Sequence, residues 1–229
     1  MTYLSPLFQK LFEAYDQECE QVYPGGTPAQ PDKVLQKLQQ IKQHPIDRAL
    51  LVQQLLEEQN RYGCSPETAE SIAMLKYASS GVVVTGQQPS ILGGPLMILY
   101  KALTAISLAK DLSEKHGVSI VPLFWIAGDD SDLKECNFAE DLCSSQSYSL
   151  DFTHKSALIQ MSHRLLDTAR HNDLVQFINA INPASLLKES IAPGISITDI
   201  FGKYIQTLLG STGLILVDGA SDLVQQLGR

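Results

Sequence analysis

The sequence predicts an α/β protein, the first part of a Rossmann-like, doubly wound parallel sheet preceded by a helical segment. Three observations carry this. The β-branched run Gly81-Val82-Val83-Val84-Thr85 leads through a Gly-rich loop and a helical pattern to a second apolar run, Ile120 to Ala127. That order is a βαβ unit, whose strands lie parallel through a right-handed crossover. A third buried-strand pattern, Gly213-Leu214-Ile215-Leu216-Val217-Asp218, follows further helices near the end of the sequence. The expected division is a helical segment over 1–79 and an α/β core over 80–229, with a hairpin insertion near 146–162. The core reads as incomplete, because Ser221 opens a crossover helix with no strand after it.

The helical segment begins with an amphipathic pattern over residues 1–22, with Leu7, Leu11 and Tyr15 on its apolar side, and Tyr23-Pro24-Gly25-Gly26-Thr27-Pro28 breaks it. A second helix runs from about Pro31 to His44 on Val34, Leu38 and Ile41, and Pro45 ends it. A third, Ile46 to Tyr62, carries Leu50, Leu51, Leu55 and Leu56 and closes at Gly63. Ser65-Pro66-Glu67 opens a fourth with a cap residue and a proline at the first helical position. These four read as packing elements, set against one another or on one edge of the sheet, with no chemistry of their own.

In the core, the loop Gly86 to Gly94 follows the first strand, and Pro95 stands where the first helical position should be. Leu96, Leu99, Leu103 and Ile106 recur at helical spacing up to Lys115-His116-Gly117, a basic last turn followed by a stop. The second strand opens into Gly128-Asp129-Asp130-Ser131-Asp132. Tyr148 to Phe152 and Ala157 to Met161, joined by Thr153-His154-Lys155-Ser156, alternate as a hairpin would. Helices are expected at about 163–181 and 198–210.

Composition excludes several classes. With 44% apolar and 18% charged residues, the chain has the make-up of an ordinary globular protein. A formal charge of −8 and no basic patch argue against nucleic acid and anionic membrane as partners. The N-terminus lacks the pattern of a signal peptide, and no apolar run reaches bilayer length. Cys19, Cys64, Cys136 and Cys143 are scattered without a C-x-x-C pair, as free thiols of a reducing, cytoplasmic setting would be.

Ligands of open α/β sheets gather outside the carboxyl ends of the strands. Two polar loops fall there, Thr85-Gly86-Gln87-Gln88 and Asp129 to Asp132. The first could use helix-head N–H groups for an anion and the Gln87 and Gln88 amides to orient a substrate. Equally, its glycines could merely give clearance; no Walker A or Gly-x-Gly-x-x-Gly pattern is present. Asp129, Asp130, Asp132 and Glu135 could bind Mg²⁺ with bridging phosphates, hold an ammonium or act as bases, or simply cap the next helix. The position after a buried strand favours binding for Asp130 and Asp132. Lys101 reads as an exposed surface lysine and Trp125 as core, and none of the five histidines suits a catalytic role.

Val83-Val84-Thr85-Gly86-Gln87-Gln88, Gly93-Gly94-Pro95-Leu96, Tyr100-Lys101-Ala102-Leu103 and Val121 to Ala127 together resemble the bacillithiol synthase family of cysteine-adding enzymes. The likeness is collinear from about Gln59-Asn60 to the last strand and looser before it. It implies a ligase that forms an amide between cysteine and the glucosamine amine of glucosaminyl-malate. Thr85, Gly86, Gln87, Gln88, Gly93, Gly94 and Ser131 would then bind substrate or nucleotide, with Asp130 and Asp132 as catalytic residues. ATP and Mg²⁺ are possible co-reactants that no motif here demonstrates. Two departures stand out. The family's acidic turn reads Glu-Asp-His-Asp where this chain has Asp129-Asp130-Ser131-Asp132, so Ser131 replaces a histidine, and the family is about twice as long. The competing readings are a catalytically inactive fragment or paralogue that binds a ligand, or a partner at an unfinished sheet edge, and an unrelated nucleotide-binding transferase. The sequence leaves the oligomeric state open.

Overall fold

A computed structural model describes residues 31–43, 46–141, 146–150, 159–182, 185, 188–189 and 191–227. The helix expected over residues 1–22 lies outside them. The helical segment supplies α1 (Pro31–Ile41), α2 (Arg48–Gln59) and α3 (Pro66–Met74). Asp47 caps α2 by accepting from the Leu50 amide, and Ser65 caps α3 by accepting from the Thr68 amide, with Pro66 in its first turn.

The core follows as β1 (Gly81–Gln87), α4 (Leu96–His116) and β2 (Ile120–Ile126). Pro95 is the residue that caps α4 rather than its first helical residue, and Gly117 closes the helix in the left-handed conformation at φ 64°. Beyond β2 come the short helix α5 (Leu133–Cys136), the ribbon β3 (Phe138–Asp141) with β4 (Gln146–Ser149), then α6 (Thr168–Ile181), α7 (Ile197–Leu209), β5 (Ile215–Asp218) and α8 (Asp222–Leu227). The Tyr148 strand pairs antiparallel with Phe138–Asp141 ahead of it. Residues 151–158, on which the hairpin expectation rests, are outside the described set, and Met161 opens a 3-10 turn.

The main sheet runs β1-β2-β5, parallel throughout, as the Rossmann-like reading requires. Both crossovers step in the same direction, so their right-handedness sends α4 and α7 to the same face. There Ile98 and Ala102 of α4 and Phe201 and Ile205 of α7 bury Phe124, Ile126, Leu214 and Leu216. The other face is covered by the helical segment: Leu55 of α2, with Ile72 and Leu75, packs on Val121, Ile215 and Val217. The result is three layers with the sheet in the middle. Pro122 is tolerated in the central strand because even-numbered residues of β2 direct their backbone groups towards β5. Pairing with β5 starts one residue later, at Leu123 with Ile215, so no ladder bond is lost.

The far edge of β5 carries no further strand among the described residues, yet its backbone groups are occupied. The Gln59 amide donates to the Leu216 carbonyl and accepts from the Leu216 N–H at 3.2 Å. Glu58 accepts from the Asp218 N–H at 2.6 Å, and the Thr68 hydroxyl lies 3.2 Å from the Leu214 carbonyl. Side chains of α2 and α3 thus stand in for a neighbouring strand. This guards an edge that would otherwise invite pairing with another chain.

Candidate functional site

The register places Gln87, Ile126 and Asp218 in one row at the carboxyl ends of the three strands. The loops leaving that row are tied to one another by backbone bonds. The Ala127 and Gly219 amides donate to the carbonyls of Gln87 and Ile126, at 3.0 and 2.8 Å. The acidic turn is anchored from below by Met161 N–H to the Asp130 carbonyl, 2.9 Å, and Ser162 N–H to the Gly128 carbonyl, 3.1 Å.

Side chains then link the two polar loops. Lys101 reaches back from the second turn of α4 and donates to Gln87 Oε1 at 2.7 Å, with the Gly86 carbonyl at 3.4 Å. Gln87 Nε2 donates to Gln88 Oε1 at 3.3 Å, and Gln88 Nε2 donates to Asp130 Oδ2 at 2.7 Å. Asp130 Oδ1 accepts the Asp132 amide at 2.8 Å. The outcome is one polar run, Lys101–Gln87–Gln88–Asp130, with a cation at one end and a carboxylate at the other. The Asp132 amide first, then the Gln88 amide, holds the Asp130 carboxyl below its ordinary range. The surface reading of Lys101 is therefore corrected. Helical side chains lean towards the N-terminus, so this half-buried lysine covers the end of β1 rather than extending into water.

The other predicted residues divide. Thr85 sits within β1, opposite Phe124. Gly86 is packed so closely on Trp125 that a Cβ would lie 2.7 Å from its carbonyl oxygen. At Gly93, φ is 82° and a Cβ would enter the Tyr204 ring; at Gly94, φ is 68° and a Cβ would sit 2.8 Å from Ser90 and Ile98. These three glycines serve local packing and backbone conformation. Ser131 is half-buried beside Asp130 and its amide also favours the Asp130 carboxylate. Asp132 is exposed and contributes its backbone amide, while the Glu135 side chain lies outside the described set. Trp125 packs with the α2–α3 cluster, as core. Among the described residues no three His, Cys, Asp or Glu side chains converge as a metal site would need.

A family model described as bacillithiol biosynthesis BshC, N-terminal Rossmann-like domain, matches residues 1–229. The chain belongs to the BshC family. It is 31% identical over 198 residues to the "Putative cysteine ligase BshC" of Geobacillus sp. (strain WCH70), covering 82% of this chain and 36% of that protein. Proteins of the same name from Salinibacter ruber and Halalkalibacterium halodurans match at 28% over 237 residues and 42% over 108 residues. Those matches cover 97% and 47% of this chain. The matched part spans 36%, 43% and 20% of the three relatives, so the chain corresponds to less than half of each.

This BshC domain also holds a polar cluster that the sequence reading passed over. Asp218, 1% exposed at the end of β5, lies 2.8 Å from the Ser162 hydroxyl and accepts the Ala220 amide at 2.9 Å. Arg61 sits 3.6 Å from Asp218 and 2.7 Å from Asp199. Gly128 is required here, since a Cβ would lie 2.1 Å from Asp218 Oδ1 and 2.3 Å from Ser162 Oγ. Burial pushes the Glu58 carboxyl up, opposed by the Asp218 amide, the Ser221 hydroxyl and Arg61. The signal was present: Asp218 ends a buried strand, the same position that singled out Asp129 to Asp132.

Proposed function

We propose that this domain supplies the substrate-binding part of a cysteine-adding ligase of bacillithiol biosynthesis, joining the carboxyl carbon of cysteine to the glucosamine amine of glucosaminyl-malate. The names of the BshC relatives support the reaction class. The single observation that carries the site is the run Lys101–Gln87–Gln88–Asp130 across the carboxyl ends of β1 and β2. Amide formation brings an amine to a carboxyl group, and this run offers one fixed partner of each sign.

Asp130, held as a carboxylate by two donors, suits a fixed anion for the substrate ammonium better than a general base, whose pKa should lie near the working pH. Lys101, which reaches back from the second turn of α4 to the end of β1, suits a substrate carboxylate. Gln87 and Gln88 set the spacing between the two. Loss of a carboxyl oxygen requires activation, which a nucleoside triphosphate would supply. The donor set does not fit a metal held by the protein alone, because Asp130 already accepts from Asp132 and Gln88, and no step is assigned to one. Ser131 has no proton to exchange near neutral pH, so it serves as a hydroxyl contact at most.

Calorimetric titration of glucosaminyl-malate into the wild-type chain, Asp130→Ala and Lys101→Met tests this reading. Each variant should bind about tenfold or more weakly, the value of one charge-assisted hydrogen bond, while remaining folded by circular dichroism and cooperative unfolding. Wild-type affinity in both variants would overturn it. A binding-only paralogue is the second reading, favoured by Ser131 in the acidic turn; binding without turnover would select it. Partner capture on the free edge of β5 is not favoured, because Gln59 and Glu58 already occupy that edge.

A further inference from the structure

A pocket of about 300 Å³ opens between α2 and α8, on the far side of β5 from Gln87 and Asp130. Gln54, Glu57, Glu58 and Arg61 line it from α2 and the turn after it, and Ser221 and Asp222 line it from the start of α8. Two fully shielded acceptors in its wall, Gln54 Oε1 and Glu58 Oε2, make no hydrogen bond of good geometry, although the Ser221 hydroxyl lies near enough to Glu58 to favour its carboxylate. Glu58 is only 6% exposed, and its other oxygen is committed to the Asp218 amide. The Gln54 amide nitrogen is likewise committed, donating to Gln226 at 2.5 Å. A buried acceptor without a donor is costly, about 1–3 kcal/mol and more for a charged group, so an orphaned pair at one wall points to a missing donor.

We propose that this pocket is a second ligand site, which takes the primary ammonium group of a small amine between Glu58 Oε2 and Gln54 Oε1. Residues four apart on a helix are neighbours on one face, and an ammonium carries three donors, enough to bridge both acceptors and keep one for solvent or Ser221. The charge balance agrees. Glu57, Glu58 and Asp222 face the pocket, while the one cation in its lining, Arg61, is paired with Asp199 and lies near Asp218. Although three carboxylates line the pocket, among the described residues no three His, Cys, Asp or Glu side chains converge closely enough to hold a metal, which favours an N–H donor over a divalent ion. The volume stands at the lower end of small-molecule pockets, ample for a compact amine. A bound ammonium would also lower the Glu58 carboxyl, which burial now raises.

The test is a ¹H–¹⁵N spectral titration of the full chain with 2-aminoethanol at neutral pH, with ethylene glycol and KCl as matched neutral and simple-cation controls. The expected result is saturable shifts confined to amides of α2 and α8 with 2-aminoethanol alone. They should need at least tenfold more ligand in Glu58→Gln, which keeps an acceptor for the Asp218 amide, and in Gln54→Met, which keeps side-chain bulk. No saturable shift, an equal response to KCl or ethylene glycol, or unchanged affinity in a folded Gln54→Met variant would overturn the proposal.

Discussion

Replacing Gln59 with methionine should destabilise the domain by about 4 kcal/mol, although Gln59 touches no candidate substrate residue. Gln59 is fully buried and its amide makes both hydrogen bonds that a neighbouring strand would make to Leu216. Methionine keeps the length and packing of the side chain but leaves the Leu216 N–H and C=O without partners. Each buried orphan costs roughly 1–3 kcal/mol, so the pair costs about 2–6, with packing nearly conserved. Against a total stability of about 5–15 kcal/mol, this is a large share. In urea, with a slope of about 2–3 kcal/mol/M, the midpoint should fall by roughly 1.5 M without a change in slope. The control is Gln53→Met on the exposed side of α2, whose side chain bonds Glu57 and which should change stability by no more than about 0.5 kcal/mol. A Gln59→Met shift as small as the control's would refute the idea that this amide completes the edge of β5.

Four further variants test the polar contacts at the carboxyl ends of the strands. Gln88→Ala removes a donor from Asp130, so the Asp130 carboxyl should titrate closer to its ordinary value in carbon-detected NMR; an unchanged titration would mean that the Gln88 contact is not made in solution. Because the folded-state value of Asp130 is depressed, its contribution to stability is present above the unfolded pKa and lost as pH falls through the folded one. Asp130→Asn should therefore flatten that part of the acid limb in pH-dependent thermal unfolding. Glu58 carries the opposite sign: its value is raised, so its contribution is full below the unfolded pKa and is lost as pH rises through the folded one. Relative to wild type, Glu58→Gln should gain stability over that rise, and a constant difference across pH would contradict the burial argument. Gly128→Ala should cost about 1–3 kcal/mol in chemical unfolding, since its methyl would meet the Asp218 and Ser162 oxygens; a neutral effect would show that the turn is not tightly packed.

The architecture was legible because each core strand is a short β-branched or fully apolar run with clear punctuation, as at Gly81-Val82-Val83-Val84 and Ile215-Leu216-Val217. Topology did the rest: the rule that polar loops gather at strand carboxyl ends leads directly to Gln88 and Asp130, which the structure joins by a hydrogen bond. Lys101 was missed because spacing along a helix does not show how far a four-carbon stem leans back over the preceding turn. Glu58 and Gln59 were missed for a different reason. Their partners, Leu216 and Asp218, lie more than 150 residues away in the chain, and nothing local marks a polar helix end as the cover of a distant strand edge. The pairing of β4 with β3 was hidden by the polar, four-residue run Phe138-Ala139-Glu140-Asp141, which has too little alternation to read as a strand.

The most direct test of the central claim is a mass-spectrometric assay for the cysteinyl product, with purified chain, cysteine, glucosaminyl-malate and ATP, and a full-length BshC relative as positive control. Product above the no-enzyme blank from the wild-type chain, lost in a folded Asp130→Ala variant, is the result this account predicts. Product formed equally well by Asp130→Ala would contradict it, as would a folded wild-type chain that neither forms product nor binds glucosaminyl-malate; binding without product would select the binding-only reading.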